Sequence, residues 1–415
     1  MTKAQRRRVL RAATGPEGTR GEYQMPPLDG VTVVSVEQAV AAPLASRHLA
    51  DLGARVIKVE RPGEGDFARH YDETVNGLSS FFVWTNRSKE SVTLDLKDPL
   101  SRQILTRLIE RADIFIHNLA PASARRLSID GMSLMANNPK LIVCEISGYG
   151  DDGPLSGGKA YDLLIQAESG VLEVTGTDGT RAKVGISIAD IAAGMYAFSG
   201  ILMAMYRRER TGAGGIVAVA MFDALVEWMS QPLYYAHYGG RPPRRRGARH
   251  ATIGPYGPFL TGDGDTVVLA VQNAAEWRRF CEFVLGDLSI SNDARFQSNA
   301  ERVAHADELD QIINNVFASS ATTEILARLR AADVPYAHVN DLDFVWHHPQ
   351  LQTRARFTEV DSPVGSLMIL RPPIEGGFDS SIRPIPKLGE HTEAVLDELG
   401  IDTRTQAQLR LRGAI

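Results

Sequence analysis

Cysteine is nearly absent: the 415 residues hold two, Cys144 and Cys281, far apart in the apolar runs LIVCEISG and RRFCEFVL. That excludes a disulfide framework and leaves no metal-ligand spacing, so both thiols are expected in cores and no metal is expected. An excess of charge of one sign is missing too: the net charge is −5 and the pI about 6.1, which points away from nucleic acid or an anionic membrane as partner. No clean membrane span is present, because ISIADIAAGMYAFSGILMAMY is broken by Asp190 and by glycines and reads as a buried helix. The N-terminus MTKAQRRRVLRAATGPEGTRGEY has six basic residues before Gly21, opposed by Glu17 alone, and lacks the apolar core of a secretory signal. Residues 1–25 are therefore expected to form a solvated, disordered arm, and the compartment expected by default is the cytoplasm.

Several catalytic signatures are missing as well. After the strand VTVVSV a dinucleotide binder needs G-x-G-x-x-G, so that backbone amides can approach a pyrophosphate, but this turn reads EQAVAAP. Without those glycines Glu60, at the end of the second strand, counts for little as a ribose-binding acid. G-x-S-x-G, H-E-x-x-H and G-x-x-x-x-G-K-[ST] do not occur, which removes the simple hydrolase, zinc-protease and P-loop assignments.

What is there is the composition of an ordinary globular protein, 44% hydrophobic and 23% charged, long enough for two domains. Its first half alternates. Strands are expected at 31–36, 54–60, 91–97, 113–118 and 141–147, with helices at 43–53, 98–111 and 122–128 between them. Longer helices are expected around 158–171 and 188–211, followed by another strand and helix in GIVAVAMFDALVEWMS. This spacing predicts an α/β fold built on a parallel sheet. YGGRPPRRRGARHATIGPYGPF (238–259) reads as loop, and the strand and helices after it as a smaller unit. The division expected is a large Rossmann-like domain over 26–222, a linker over 223–247, a small α+β domain over 248–335, and a return into the large domain over 336–415.

Two groups of residues suggest chemistry. Arg61, Lys97, Asn118 and Arg126 follow successive strands, and the carboxyl ends of such strands form the ligand crevice of an open α/β sheet. Cations gathered there suit a polyphosphate. In EVTGTDGTRAKVG, Asp178 sits among Gly and Thr; Asp-Gly is ordinary turn chemistry, since both residues tolerate positive φ. Asp162, at the head of a helix, reads as a cap, and Asp190 needs a partner if buried.

PLDGVTVVSVEQAVAAPLASRHLADLGARVIKVERPGEGDFAR, NRSKESVTLDLK, ADIFIHNLAPASARRL, SGYGDDGP and PKLGEHTEAVLDELG together resemble the class III CoA-transferase family, which includes formyl-CoA transferase and carnitine CoA-transferase. The resemblance covers nearly everything after Met25. It implies an interlocked homodimer, each chain wound through a hole in the other. It implies no permanently bound cofactor, with coenzyme A esters and carboxylic acids as substrates. It further implies that Arg61, Leu94, Lys97, Asn118, Leu119 and Arg126 hold the CoA nucleotide and pantetheine, that Gln38 and Val40 lie near the thioester, and that Asp178 is the nucleophile. A carboxylate nucleophile suits the task, because an anhydride or thioester keeps the acyl activation that a plain ester would lose.

The family also includes α-methylacyl-CoA racemases, which need a base on each face of the α-carbon. Asp190 matches one of their acids, but Tyr161 stands where they carry histidine, and tyrosine, with a pKa near ~10, shuttles protons poorly at neutral pH. A transferase is favoured over a racemase or a silent CoA-binding protein. The loop RRRGARHATIGPYGPF lacks the glycine run of formyl-CoA transferase and looks more like that of members handling C4–C5 dicarboxylates: succinyl-CoA with mesaconate, itaconate, citramalate or hydroxymethylglutarate. Arg249 and His250 are then the candidates for a remote carboxylate. Transfer of CoA within one molecule, as in mesaconyl-CoA transferase, is a close alternative.

Overall fold

Five short strands follow the opening turn: β1 (Thr32–Val36), β2 (Arg55–Glu60), β3 (Lys89–Thr93), β4 (Ile114–His117) and β5 (Ile142–Ser147). The computed structural model describes residues 25–374, 376 and 381–415; of the basic arm expected over residues 1–25, all but Met25 lies outside them. Beyond β5 come a two-residue pair, β6 (Gly176–Thr177) and β7 (Thr180–Arg181), and then β8 (Gly215–Ala220). One six-stranded sheet has the order β3-β2-β1-β4-β5-β8, with every pairing parallel. β1, β2, β4 and β5 are mostly apolar because both of their faces are covered, whereas the edge strand β3 is polar in sequence (KESVT) and β8, at the other edge, has alternate residues exposed. Val33, Val34, Phe115, Ile116 and Val143 are fully buried, each worth ~1.5–3 kcal/mol relative to exposure.

On one face lie α1 (Ala41–Asp51) and, beyond α2 (Pro99–Glu110) in sequence, the long α3 (Ile188–Thr211); α2 and the two C-terminal helices Thr392–Glu398 and Thr403–Leu411 cover the other. α1 and α3 cross closely: a Cβ on Gly194 would lie 2.7 Å from the Ala41 carbonyl oxygen, so a larger residue would push the helices apart. α3 is long and apolar enough to cross a membrane by composition alone, but Ala189, Ala192, Ala193, Ala197 and Ile201 are buried in the sheet's core, as the buried-helix reading expects. Both cysteines are buried as well, Cys144 in the sheet and Cys281 in the smaller unit. Burial raises the Cys144 thiol and pushes Cys281 up to about 12.

The smaller unit is an antiparallel sheet, β9 (Tyr256–Leu260), β10 (Thr266–Ala270) and β11 (Tyr336–His338), in the order β11-β10-β9. It is backed by helices that include α4 (Ala306–Ala318), around Phe259, Trp277, Phe280, Phe296 and Phe317.

Local expectations are corrected at three places. The third strand ends at Thr93, not residue 97: Asp95 accepts the Lys97 amide in a turn, and Asp98 caps α2 through the Leu100 and Ser101 amides. β9 begins inside the stretch read as loop, and helices Met221–Trp228 and Ser230–Gly239 occupy most of the stretch read as linker. Asp162 does cap a helix, though not the one it heads. Its Oδ1 accepts the Ala189 amide of α3 at 2.8 Å, and its Oδ2 accepts from Gln166 at 2.7 Å.

Candidate functional site

The strand order reverses between β1 and β4, where connections leave the sheet in opposite directions and open a crevice at the carboxyl ends. A cavity of about 1030 Å³ lies there, walled by the turns after β1, β4 and β5, by residues 156–163, and by Lys183, Ile186 and Asp190. Four of the expected CoA residues, Gln38, Val40, Asn118 and Leu119, line it. Gln38 and Asn118 pin two of these turns together, since Asn118 Oδ1 accepts the Gln38 amide at 3.0 Å and its Nδ2 donates to the Gln38 carbonyl at 2.8 Å.

Between them Ala39 is held at φ 63°, a conformation few residues other than glycine adopt. A buried charge network imposes it. Asp66 Oδ1 accepts the Ala39 amide at 3.0 Å and the Ala68 amide at 2.9 Å, while Oδ2 pairs with Lys58 Nζ at 2.6 Å. Lys58 is fully buried and also donates to Asn86 at 2.9 Å. Lys89, beside it, reaches Glu37 at 2.7 Å, the Asn86 side chain at 3.0 Å and the Pro43 carbonyl at 3.0 Å. Burial alone would lower the Lys58 ammonium, but Asp66, Glu37 and Glu60 outweigh it and raise its pKa. For Lys89 burial wins and, with Lys58 adding to it against Glu37, brings the pKa down to about 7. Sequence reasoning misses Lys58, Asp66 and Lys89; the signal available is a lysine inside the apolar strand VIKVE and another opening β3.

Asp190 lines the same cavity and accepts the Ala41 amide at the start of α1. Burial, reinforced by Asp162 and opposed by that hydrogen bond, pushes its carboxyl up to about 7.

The remaining expected CoA residues stand outside the cavity. Arg61, after β2, is exposed and pairs with Glu64 at 3.4 Å; Lys97, beyond β3, is exposed; Arg126, beyond β4, is exposed and donates to Ser123 at 3.2 Å. The three cations stud the carboxyl edge of the sheet. The Leu94 side chain is buried in the core between the sheet and α2.

Asp178 is also outside the cavity. It occupies the two-residue loop joining β6 and β7, with its side chain 53% exposed. The positive φ that this hairpin needs falls on Gly176 (112°), not on Asp178 or Gly179 as Asp-Gly turn chemistry suggests. At Gly176 a Cβ would lie 2.1 Å from the Thr180 carbonyl oxygen, so only glycine fits. That leaves Asp178 under no conformational demand.

The arginine-rich stretch closes over this hairpin. Gly247 donates its amide to the Gly176 carbonyl at 2.7 Å, and Arg245 donates to the carbonyls of Glu173, Thr177 and Asp178 at 2.8, 3.0 and 3.3 Å. Arg244 sets Nε at 2.7 Å and Nη2 at 2.6 Å from one Asp178 oxygen, Oδ2, and pairs through Nη1 with Asp307 of α4 at 2.9 Å. Among the described residues no hydrogen bond reaches the other oxygen, Oδ1. The Arg244 hydrogen bond, opposed by desolvation and helped by the charges of Arg244, Arg245 and Arg246, holds the Asp178 carboxyl below the usual carboxylate range. Arg246 and Arg249 share Asp310, at 2.6 and 3.1 Å. Arg249 also lies over the Phe259 ring, and His250 stacks on Tyr256; neither lines the cavity.

The profile of CoA-transferase family III matches residues 28–392. The chain is 35% identical over 391 residues to a succinate–glutarate CoA-transferase of Agrobacterium fabrum, covering 92% of this chain and 97% of that one. It is 33% identical to a succinyl-CoA:mesaconate CoA-transferase of Haloarcula hispanica, over 91% of this chain and 98% of that one. Among solved structures, a CAIB/BAIF family protein from Brucella suis superposes with a TM-score of 0.77 at 32% identity, over 91% of this chain and 100% of that one.

Proposed function

We propose, for a chain that belongs to CoA-transferase family III and is therefore an enzyme of the transferase type, that it moves coenzyme A between C4–C5 dicarboxylic acids by way of Asp178. The observation that carries the reading is an exposed, ionised carboxylate presented on a glycine hairpin with one oxygen uncommitted. Oδ1 attacks the thioester carbonyl of the acyl-CoA; the C–S bond breaks, leaving a mixed anhydride and CoA thiolate. The thiolate then attacks Cγ of Asp178 and releases the donor acid as its carboxylate, leaving an aspartyl-CoA thioester. An acceptor carboxylate attacks the same Cγ and expels the thiolate, which takes up the acceptor's acyl group and frees Asp178.

The cations at the sheet edge, Arg61, Lys97 and Arg126, suit the phosphates of CoA, while Gln38, Val40, Asn118 and Leu119 suit the pantetheine and thioester end in the cavity. Asp178 and the cavity are separate within one chain, so we propose that an interlocked homodimer joins them. The exposed Tyr161, Leu163, Leu164, Tyr206, Tyr234 and Tyr238 are apolar surface that a second chain would cover. Succinate or succinyl-CoA in the relatives' names supports a dicarboxylate, with glutarate joining mesaconate, itaconate and citramalate as acceptors to test. Arg249 and His250 are proposed for the remote carboxylate; Asp310 would keep Arg246 as partner if Arg249 turned to substrate.

The test pairs Asp178→Ala with the wild type, succinyl-CoA and a panel of acids, following CoA esters by mass spectrometry. Transfer should vanish while CoA esters still bind. Near-normal turnover in the variant would overturn the assignment, and mesaconyl-CoA rearranging with no acid added would indicate transfer within one molecule.

One observation favours a second reading. Asp190 lines the cavity with a pKa of about 7, matched to proton transfer at neutral pH. Racemase-type chemistry would show as exchange of the substrate's α-hydrogen in deuterium oxide.

A further inference from the structure

The two N–H groups of Arg244 converge on a single oxygen of Asp178, and that arrangement outlasts acylation. Once Oδ1 has reacted and left as part of the donor acid, Cγ carries the CoA sulfur, and Oδ2 remains as the carbonyl oxygen of the aspartyl thioester. The next two attacks, by thiolate and then by acceptor carboxylate, fall on Cγ, and the negative charge of each of these tetrahedral intermediates develops on Oδ2; the last attack, of thiolate on the acceptor's acyl carbon, does not. Donors at 2.6 and 2.7 Å already face that oxygen. This is the distance at which an oxyanion donor acts, on the atom that becomes the oxyanion.

Arg244 is also anchored. Its Nη1 holds Asp307 at 2.9 Å, so the guanidinium keeps a counter-charge and its place when Asp178 loses its own charge on acylation. Its neighbours are otherwise engaged: Arg245 spans three backbone carbonyls, and Arg246 is paired with Asp307 and Asp310. We propose that Arg244 is a catalytic residue: its Nε and Nη2 form the oxyanion site for the tetrahedral intermediates at Cγ of Asp178. The inference rests on Asp178 being the nucleophile. It assigns Arg244 to the two steps at Cγ and not to the first or the last attack, in which charge develops on the oxygen of the donor or the acceptor acyl group.

The steps can be separated by what accumulates on the protein. Wild type, Arg244→Ala and Arg244→Lys are mixed with succinyl-CoA without acceptor, quenched quickly in acid, and the adduct on Asp178 is identified by mass spectrometry. Steady-state kcat and KM are measured alongside, with thermal unfolding as the check on folding. Wild type should carry the CoA adduct. Arg244→Ala should carry the succinyl anhydride instead, with kcat reduced about a hundredfold, the low end for one lost oxyanion site because this one is open to solvent. KM for the acid should stay within about threefold, because a donor acting in the transition state alters kcat first. Arg244→Lys keeps the charge without the fork and should recover part of the rate.

Turnover of Arg244→Ala within about threefold of wild type would overturn the proposal. So would a large loss with the CoA adduct still predominant, since that describes a residue that only shapes the hairpin. If Arg244→Ala fails to fold, the adduct ratio in Arg244→Lys decides in the same way. Absence of any adduct on wild-type Asp178 would bring down the nucleophile reading itself, and this inference with it.

Discussion

Two turns carry the groups nearest the proposed chemistry, and both are held by charge, in opposite ways. The turn after β1 is fixed from below by Lys58, Asp66, Lys89 and Glu37, whose side chains are fully buried. The β6–β7 hairpin is held from outside by Arg244, Arg245 and Asp307, most of them open to water. A buried pair has no solvent to turn to when its partner is removed, so it enforces one backbone geometry, here the left-handed Ala39. An exposed pair is weak because water competes for both ends. A cavity wall that must keep its shape gains from the first arrangement. The nucleophile proposed at Asp178, whose charge would appear and disappear in each cycle, needs the second.

The comparison breaks most visibly at Asp66. Asp66→Ala leaves Lys58 buried without its closest partner and the Ala39 amide without an acceptor, and should cost about 3–5 kcal/mol of stability. Asp307→Ala, which removes an exposed partner of Arg244, should change stability by no more than ~0.5 kcal/mol. Denaturant titration of both variants checks this, and equal losses would end the distinction between the two turns.

A pH titration sharpens it. Asp190 is raised from 3.8 to about 7 in the folded chain, so the folded state holds a proton that the unfolded state gives up over this range. Its contribution to stability is therefore complete below about pH 4 and is lost as pH rises to about 7, at ~1.4 kcal/mol for each pH unit. Asp190→Asn should remove that slope, gaining on the wild type steadily between pH 5 and 7 and holding a constant lead above it. A difference that does not vary with pH would mean Asp190 is ionised throughout.

How far the sequence shows all this follows from which forces act locally. The alternation of apolar strands and helices predicts the parallel sheet, and the 188–211 helix is legible to the residue, because burial on both faces writes itself into hydropathy. The third strand reads too long because LDLK continues the apolar alternation, while the turn is made by Asp95 and Asp98 side chains bonding to nearby amides. Asp178 is proposed through resemblance, and the residue that makes its hairpin possible, Gly176, carries no such signal, because the clash that demands glycine is with Thr180 across the turn. The Arg244 and Asp66 contacts join residues 66 and 27 positions apart, and a lone arginine or aspartate carries no mark of such a partner.

The smallest expected effect tests whether two arginines of one loop divide the substrate between them. Arg244 holds Asp178 Oδ2, beside the carbon proposed to react, so its loss should slow every acid alike. Arg249 is proposed for the remote carboxylate, and its loss should be felt only by acids that have one. Removing it costs the fold little, because Asp310 retains Arg246 at 2.6 Å. Binding energy from a remote group orients the reacting end, so Arg249→Ala should lower kcat/KM for succinate about tenfold, one charged hydrogen bond's worth, and leave a monocarboxylate such as butyrate nearly unchanged. The ratio of the two acids within one variant cancels any general damage. An equal loss for both acids would return Arg249 to Asp310 and Phe259, as a brace of the smaller unit, and leave dicarboxylate recognition to groups lining the cavity, where Lys159 and Lys183 are the cations.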